Sequence, residues 1–202
     1  MDRNHPTGQL MTLDEYLTFE ARSAVKHEYV AGEVYAMSGV TTRHNLITLN
    51  IATHLRAAAR ARGCRVFAAD VKLKAADRIY YPDVLVACGR AAAVELIIEE
   101  PSLIAEVTSP STRATDRREK LDAYRRIPRV GAYLIVDQRR RHVLAYVREG
   151  AAEWLKQEFQ GADVIALPAL EARMTMDDIY EGVELPPLAV GEEEWDGDWE
   201  EG

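Results

Sequence analysis

Residues 82–120, PDVLVACGRAAAVELIIEEPSLIAEVTSPSTRATDRREK, form the stretch that decides the fold. Two short apolar runs in it, residues 84–87 and 103–107, read as buried strands; Asp83 opens the first and Glu106 lies inside the second. Burying even an unpaired polar group costs roughly 2–7 kcal/mol, so each acid needs a compensating base, backbone donors or a divalent cation. If the strands are neighbours, both acids can face one point and hold a hard cation there.

Upstream of this stretch, the pattern predicts two helices and several short strands. The longer helix has Leu46, Leu49, Ala52 and Leu55 at helical spacing, and Gly63 is a natural stop. In chain order we predict a helix over 12–19, a hairpin over 26–37, a helix over 42–62, strands over 64–69 and 71–73, a turn over 75–78 and a strand over 80–87.

Downstream, the pattern alternates strand, helix and strand. We predict a short helical or irregular segment over 94–100, a strand over 103–108, a helix over 115–127, a strand over 132–136 paired with 142–147, outer strands over 154–159 and 164–167, and a helix over 176–180. The fold class is mixed α/β (α+β), with a central mixed sheet flanked by helices and a right-handed crossover between the strands at 103–108 and 132–136.

The composition predicts one folded domain, residues 1–188, followed by an acidic, disordered tail, residues 189–202. No apolar run reaches the roughly 18 residues that span a bilayer, and the N-terminus has no apolar signal core, so we expect a cytoplasmic protein with no membrane partner. In that compartment, Cys64 and Cys88 are expected to be reduced, buried thiols.

The charge is unevenly distributed along the chain. The net charge is −8, and residues 189–202 hold seven acids and no base, which leaves −8 + 7 = −1 for the rest. A near-neutral body with a basic face can attract phosphates. The tail is then either a solubilising end or a mimic of nucleic acid that competes for that face. The clustered bases are Arg113, Arg117, Arg118, Lys120, Arg125, Arg126, Arg129, Arg139, Arg140 and Arg141.

A proline–aspartate pair, a glutamate on a following strand and then a basic residue are typical of PD-(D/E)XK nucleases. Phosphodiester hydrolysis needs an activated water and neutralisation of a developing phosphate charge. Clustered carboxylates hold Mg²⁺, which supplies both effects, and a lysine orients the water or offsets phosphate charge.

In its details the chain resembles the Uma-type restriction endonuclease family, a branch of that superfamily. The ordered set, a Pro-Asp followed by EVxSPST and DxxxKxxxY, carries the resemblance, which covers nearly everything up to about residue 180. The matching pieces are LDEYL (13–17), HEYVAGEVYAMSG (27–39), the His44 region, DVKL (70–73), YPDVLV (81–86), LIAEVTSPSTRATDRREKLDAYRRI (103–127) and AYLIVD (132–137).

The resemblance implies a restriction endonuclease-like fold and a Mg²⁺- or Mn²⁺-dependent nuclease site that acts on DNA, with RNA left open. A homodimer is expected, because cutting both strands needs two sites. The chain departs from the superfamily at Thr108, which stands where the E-X-K lysine belongs. In the Uma-type pattern a lysine of the next helix takes that place, which here is Lys120.

The expected metal ligands are Asp83 and Glu106, with Glu33 of the family's Gly-Glu pair as a possible third carboxylate. Lys120 and His44 complete the candidate catalytic set. Each residue also has an ordinary structural interpretation. Asp83 would cap the start of a strand, and Glu106 would form a buried salt bridge. Glu33 would be a surface charge of the hairpin, Lys120 a helix charge paired with Asp116, and His44 a helix-start residue. Asp70 and Thr108 are weaker candidates near the metal.

Two rival functions stay open. The first is a catalytically inactive nucleic-acid-binding module on the same fold, which the missing E-X-K lysine and the acidic tail favour. The second is a structural scaffold in which Asp83 and Glu106 merely pair with arginines.

Overall fold

A computed structural model describes residues 10–89, 97–108, 115–150 and 153–187. The boundary and the tail predicted at 188–202 lie outside these residues. The helices are α1 (Leu13–Glu20), α2 (Thr42–Ala61), α3 (Leu121–Arg125), which follows a π-helical turn (Asp116–Lys120), and α4 (Met176–Ile179), which follows a 3-10 turn (Pro168–Leu170). The strands are β1 (His27–Val30), β2 (Glu33–Ala36), β3 (Cys64–Ala68), β4 (Lys72–Ala75), β5 (Arg78–Tyr80), β6 (Val84–Cys88), β7 (Ile97–Ile98), β8 (Pro101–Thr108), β9 (Ala132–Asp137), β10 (His142–Glu149), β11 (Glu153–Gln160), β12 (Val164–Leu167) and β13 (Ala172–Thr175).

The central sheet has six strands in the order β11-β10-β9-β8-β6-β3. β8 and β9 are parallel, whereas the other neighbours are antiparallel, so the predicted mixed sheet is confirmed. The π-helical turn and α3 lie between β8 and β9 in the chain. Because the two strands are parallel, their carboxyl ends meet at one edge of the sheet, where Thr108 lies opposite Asp137.

A second sheet has the strand order β2-β1-β5-β4-β7, and β12 and β13 form a separate hairpin. The prediction of one strand over residues 80–87 is wrong, because β5 ends at Tyr80 in the second sheet and β6 begins at Val84 in the central sheet. Pro82 lies between them and cannot donate a ladder hydrogen bond. Asp83 is therefore in the link between the two sheets, one residue before β6.

Helix α2 covers one face of the central sheet. Thr41 caps it, since its hydroxyl accepts a hydrogen bond from the backbone N–H of His44. The buried apolar stripe of the helix is Ile47, Ile51, Leu55 and Ala59. Of the four residues predicted to form this stripe, only Leu55 belongs to it, and Leu49 is 55% exposed. None of the described helices, this one of 20 residues included, is long and apolar enough to cross a membrane.

The opposite face of the sheet packs under the π-helical turn and α3. Leu121, Tyr124 and Ile127 are buried there, as their spacing predicted. The ring of Tyr124 makes edge-on contacts with Tyr80 at 5.5 Å and Tyr133 at 5.0 Å between centroids. These contacts fix the helix that carries Lys120 against both sheets.

Cys64 and Cys88 form a disulfide, so the prediction of two reduced thiols is wrong. The two residues lie directly opposite each other in the antiparallel pair of β3 and β6, with their Cα atoms 3.9 Å apart. Strand register places them together, and the spacing along the chain carries no sign of it. Two short strands also differ from the prediction. β7 is a two-residue strand parallel to β4 where a helical or irregular segment was predicted, and no strand was predicted at β13.

Candidate active site

A cleft of about 210 Å³ opens at the edge where β8 and β9 end. The loop between β2 and α2 forms one side of the cleft, and the start of the π-helical turn contributes to its base. Its lining residues are Glu28, Met37, Ser38, Gly39, Val40, Thr41, His44, Tyr81, Asp83, Glu106, Val107, Asp116, Lys120 and Gln138. Four of the five residues predicted for the site, all except Glu33, line this one cleft.

Asp83 and Glu106 are neighbours across the central sheet. Val84 of β6 pairs with Ala105 of β8, so the residue before the first and the residue after the second lie side by side. The backbone N–H of Val107 donates to Asp83 Oδ2 over 2.7 Å. This bond ties the aspartate, which has no ladder position of its own, to the strand that carries Glu106.

Each of these two carboxylates has one engaged oxygen and one open oxygen. Asp83 Oδ2 accepts from Val107 and lies 3.2 Å from His44 Nε2. Glu106 Oε1 accepts from Lys120 Nζ at 3.1 Å and from the Tyr124 hydroxyl at 2.8 Å. Within the described chain, no donor meets Asp83 Oδ1 or Glu106 Oε2, and both residues line the cleft.

Lys120 lies at the centre of three carboxylates. Its Nζ is 3.1 Å from Glu28 Oε1, 3.1 Å from Glu106 Oε1 and 3.3 Å from Asp116 Oδ1. Burial lowers the pKa of Lys120, but the attraction of Glu106, Glu28 and Asp116 more than reverses this and raises the pKa well above its ordinary value. The residue is therefore an ammonium ion that donates a hydrogen bond to Glu106 and lies within ion-pair distance of Glu28 and Asp116.

We call the four carboxylates of Glu28, Asp83, Glu106 and Asp116 the acidic floor of the cleft. With one ammonium among them, the fully ionised cluster carries −4 + 1 = −3. Burial raises the pKa of Glu106 well above its ordinary value, and the nearby carboxylates add to this against the opposing pull of Lys120. A surplus of negative charge at a site with so little solvent favours binding of a cation or a proton.

The acidic floor has the donor chemistry of a Mg²⁺ or Mn²⁺ site. In the described residues, no group of three or more His, Cys, Asp and Glu side chains has the arrangement of a metal cage. Mg²⁺ does not require one, because it commonly uses one or two carboxylates and completes its coordination with waters and substrate phosphates. The open oxygens of Asp83 and Glu106 are a two-carboxylate set of that kind.

His44 lies on the first turn of α2 against the floor. Its side chain is 10% exposed and its Nε2 faces Asp83. Its Nδ1 is buried and has no hydrogen-bond partner. The helix cap at Thr41 fixes the backbone at this position, so the imidazole is held against the carboxylate.

The structure does not bring Glu33 into the cleft. Its carboxylate accepts a hydrogen bond from the Tyr35 hydroxyl on the same strand. Glu28 occupies the cleft instead: it pairs with Tyr35 across β1 and β2, and its side chain is 6% exposed. Along this face of the hairpin, Glu33 is one pair farther from the cleft, opposite Val30.

The weaker candidates lie outside the cleft. Asp70 makes a surface ion pair with Lys26. Thr108 is 2% exposed, and its hydroxyl is 3.5 Å from the Val136 carbonyl. Asp137 accepts from the backbone of Arg139. Arg113 lies outside the described residues.

Glu28, Asp116 and Gln138 are the cleft residues that sequence reasoning missed as site residues. Asp116 had a signal, because it stands four residues before Lys120, and the ion pair named as the structural alternative for that lysine is present. The sequence holds no comparable signal for Glu28. Residues 27–29 are all buried, so the alternation of buried and exposed residues does not show which face of the strand Glu28 lies on.

Comparison with known proteins shows what this chain is similar to. Two uncharacterized proteins of Synechocystis sp. (strain ATCC 27184 / PCC 6803 / Kazusa), sll1609 and slr1290, are each 32% identical to the chain over 160 and 173 residues. These alignments cover 77% and 84% of this chain and 90% and 91% of the relatives.

The fold is similar to the crystal structure of a "putative nuclease belonging to DUF820" from Anabaena variabilis ATCC 29413. The TM-score is 0.72 at 16% identity, and the match covers 86% of this chain and 99% of that one. Residues 13–177 match the family model Uma2, described as "Putative restriction endonuclease". With its fold and most of its length matched, the chain belongs to the Uma2 family.

Proposed function

We propose that the protein is a metal-dependent endonuclease that hydrolyses phosphodiester bonds of DNA. The observation that carries the proposal is the pair of open carboxylate oxygens, on Asp83 and Glu106, side by side in a cleft with the ammonium of Lys120 against them. Family and fold support a nuclease. The carboxylates support the choice of metal-assisted hydrolysis, because clustered carboxylates hold Mg²⁺ or Mn²⁺ and such a cation activates a bound water for attack on a phosphodiester.

The side chains divide into ligands and supports. Asp83 and Glu106 would hold Mg²⁺ or Mn²⁺, which supplies an activated water and neutralises charge on the phosphate. Val107 N–H and His44 orient Asp83. Lys120 and Tyr124 orient Glu106 by holding its other oxygen.

Lys120 also supplies positive charge beside the position of the reacting phosphate. Glu28 and Asp116 hold its ammonium in place. A fixed charge that needs no reorganisation during the reaction stabilises a developing negative charge better than a mobile one. In this role Lys120 takes the place of the E-X-K lysine, which Thr108 replaces.

The proposal is tested by plasmid nicking with Mg²⁺ or Mn²⁺ and by calorimetric titration of Mn²⁺. Asp83→Asn and Glu106→Gln should each reduce cleavage by at least about 10²-fold, since each removes a ligand charge at similar size. Asp77→Asn is the matched control, because this aspartate is 69% exposed in the β4–β5 turn. Cleavage that survives in the Asp83→Asn, Glu106→Gln double variant would rule out the assignment.

A homodimer stays a prediction, to be measured by sedimentation equilibrium.

A nucleic-acid-binding module without catalysis is the second candidate. The observation in its favour is Lys120, whose ammonium is fully surrounded by three carboxylates and so is engaged in the fold. This candidate predicts salt-sensitive DNA binding without any effect of metal. Mn²⁺ binding that disappears in Glu106→Gln contradicts it.

A further inference from the structure

The cleft has two chemically different parts. Beside the acidic floor is a second group of residues, which we call the rim: residues 37–41, His44 at the start of α2, and Gln138. The rim has no carboxylate. It presents backbone and side-chain donors, which suit an anion, to the same cavity whose floor suits a cation.

Two backbone N–H groups at the start of α2, those of Thr42 and Arg43, directly follow the rim residue Thr41, which caps the helix. His44 N–H donates to the Thr41 hydroxyl, and Asn45 N–H donates to the Thr41 carbonyl. Among the described residues, no acceptor meets the N–H of Thr42 or Arg43. The helix is 20 residues long, so its dipole adds partial positive charge at this end.

Gln138 supplies an independent donor. It is 6% exposed, lines the cleft and lies at the end of β9, and its Oε1 is 2.7 Å from the Thr41 hydroxyl. That hydroxyl accepts from His44 N–H, so its single proton is donated to Gln138. The amide oxygen is thereby assigned, and the amide nitrogen is left with no acceptor in the described part of the chain.

Two further observations are consistent with a ligand at the rim. The Nδ1 atom of His44 is buried without a hydrogen-bond partner in the described residues, so the protein does not fully satisfy this imidazole beside the cleft. Gly39 is also unexplained by the fold: its φ is not in the left-handed region, and a Cβ there would meet nothing within 4 Å. A glycine that neither conformation nor packing requires leaves room for a ligand to approach the backbone.

We propose that the rim is a phosphate-binding subsite that holds a backbone phosphate of the nucleic-acid substrate. The Thr42 and Arg43 N–H groups and the Gln138 amide would donate to its oxygens, beside the cation held by the floor. The inference rests on the proposed function for its choice of phosphodiester, because an acidic floor alone repels a phosphate. The subsite itself consists of neutral donors and does not depend on catalysis.

The first test introduces charge at the rim without changing its shape. Gly39→Asp and Gly39→Asn differ by one charge, and the exposed glycine tolerates either side chain. Fluorescence anisotropy of a short fluorescein-labelled DNA duplex is measured with Ca²⁺ in place of Mg²⁺, so that a cation can occupy the floor, and gel electrophoresis confirms that the duplex stays intact. The dissociation constant of Gly39→Asp should be about ten-fold higher than that of Gly39→Asn, as expected for losing charge-assisted phosphate contacts.

The second test removes the side-chain donor. Gln138→Glu keeps the acceptor for Thr41 and replaces the amide N–H₂ with an oxygen. Gln157→Glu makes the same change on the exposed strand β11 and is the control. Gln138→Glu should weaken DNA binding by about ten-fold relative to Gln157→Glu. Equal dissociation constants within both pairs of variants would overturn the subsite.

The two proposals fail in different ways. If the unaltered protein does not cleave with Mn²⁺ but both charged rim variants bind DNA more weakly, the nuclease assignment is lost and the subsite stands. Suppose instead that the protein cleaves in an Asp83-dependent manner, that Gly39→Asp has the same KM as Gly39→Asn, and that Gln138→Glu has the same KM as Gln157→Glu. The subsite is then lost and the nuclease assignment stands. Inorganic phosphate should compete with the duplex for Gly39→Asn but not for Gly39→Asp, and this result would support the subsite.

Discussion

At the scale of single residues, the acidic floor depends on one ammonium. Lys120 contacts three carboxylates whose side chains are no more than 6% exposed. Buried charges of one sign are costly, and removing the single opposite charge leaves that cost uncompensated. The lysine therefore stabilises the fold and prepares the site at the same time.

Lys120→Met should lower the free energy of unfolding by about 3–5 kcal/mol at neutral pH. Lys74→Met is the matched control: its pair with Glu99 has a similar distance, 2.9 Å, but that lysine side chain is 34% exposed, so a loss of about 1 kcal/mol or less is expected. Urea denaturation measures both.

Mn²⁺ should restore part of the stability lost in Lys120→Met, because a dication can take the place of the missing charge. A lack of rescue, together with a loss no larger than in Lys74→Met, would show that the ammonium does not balance the floor.

The sequence could predict that Asp83, Glu106 and Lys120 converge, because two apolar runs and a helical stripe define strands and a helix with one acid or base at a known place in each. The sequence could not predict that Glu28, and not Glu33, lines the cleft. Both are acids of the same short hairpin, and only the packing of β1 against its neighbours decides which carboxylate faces the cleft.

At the scale of elements, the decisive features are how strands pair. Residues 80–87 look like one continuous strand in the sequence, yet the chain passes from one sheet to the other at Pro82. Strand content was predictable from the pattern, but sheet membership depends on which neighbours cover each face. For the same reason the opposition of Cys64 and Cys88, a matter of register, could not be read from their spacing.

The disulfide joins the edge strand β3 to β6 and closes a loop with a sequence separation of 24. Chain-entropy arguments give about 3 kcal/mol for a loop of this size. Cys64→Ser with Cys88→Ser should lower the free energy of unfolding by about that amount, measured by urea denaturation without reductant.

Dithiothreitol provides the control for this prediction. It should destabilise the unaltered protein to the level of the double variant and leave the double variant unchanged. A reductant effect of the same size in both proteins would contradict a stabilising bridge.

At the scale of the whole molecule, charge is separated between body and tail. Residues 188–202 carry seven acids, and without them the net charge goes from −8 to −1. Near the end of the described residues, the chain returns to the start of α2, where the Arg43 side chain donates to the Glu184 carbonyl over 2.8 Å. The sequence could not indicate this contact.

Truncation after residue 188 should strengthen DNA binding at low salt, because it removes seven negative charges that repel the phosphate backbone. Anisotropy with the labelled duplex measures the change. The matched control is the full-length chain with its seven tail acids replaced by the corresponding amides. If that chain binds DNA as the unaltered protein does, the charge of the tail has no effect on binding.

The lysine among the carboxylates has a practical consequence. A nuclease whose acids carried no internal counterion would rely on its cofactor to stay intact and would be lost during treatment with chelating agents. Here the chain brings its own counterion, so folding should not require added salts of magnesium or manganese. The proposed need for metal is then a need of turnover and not of folding.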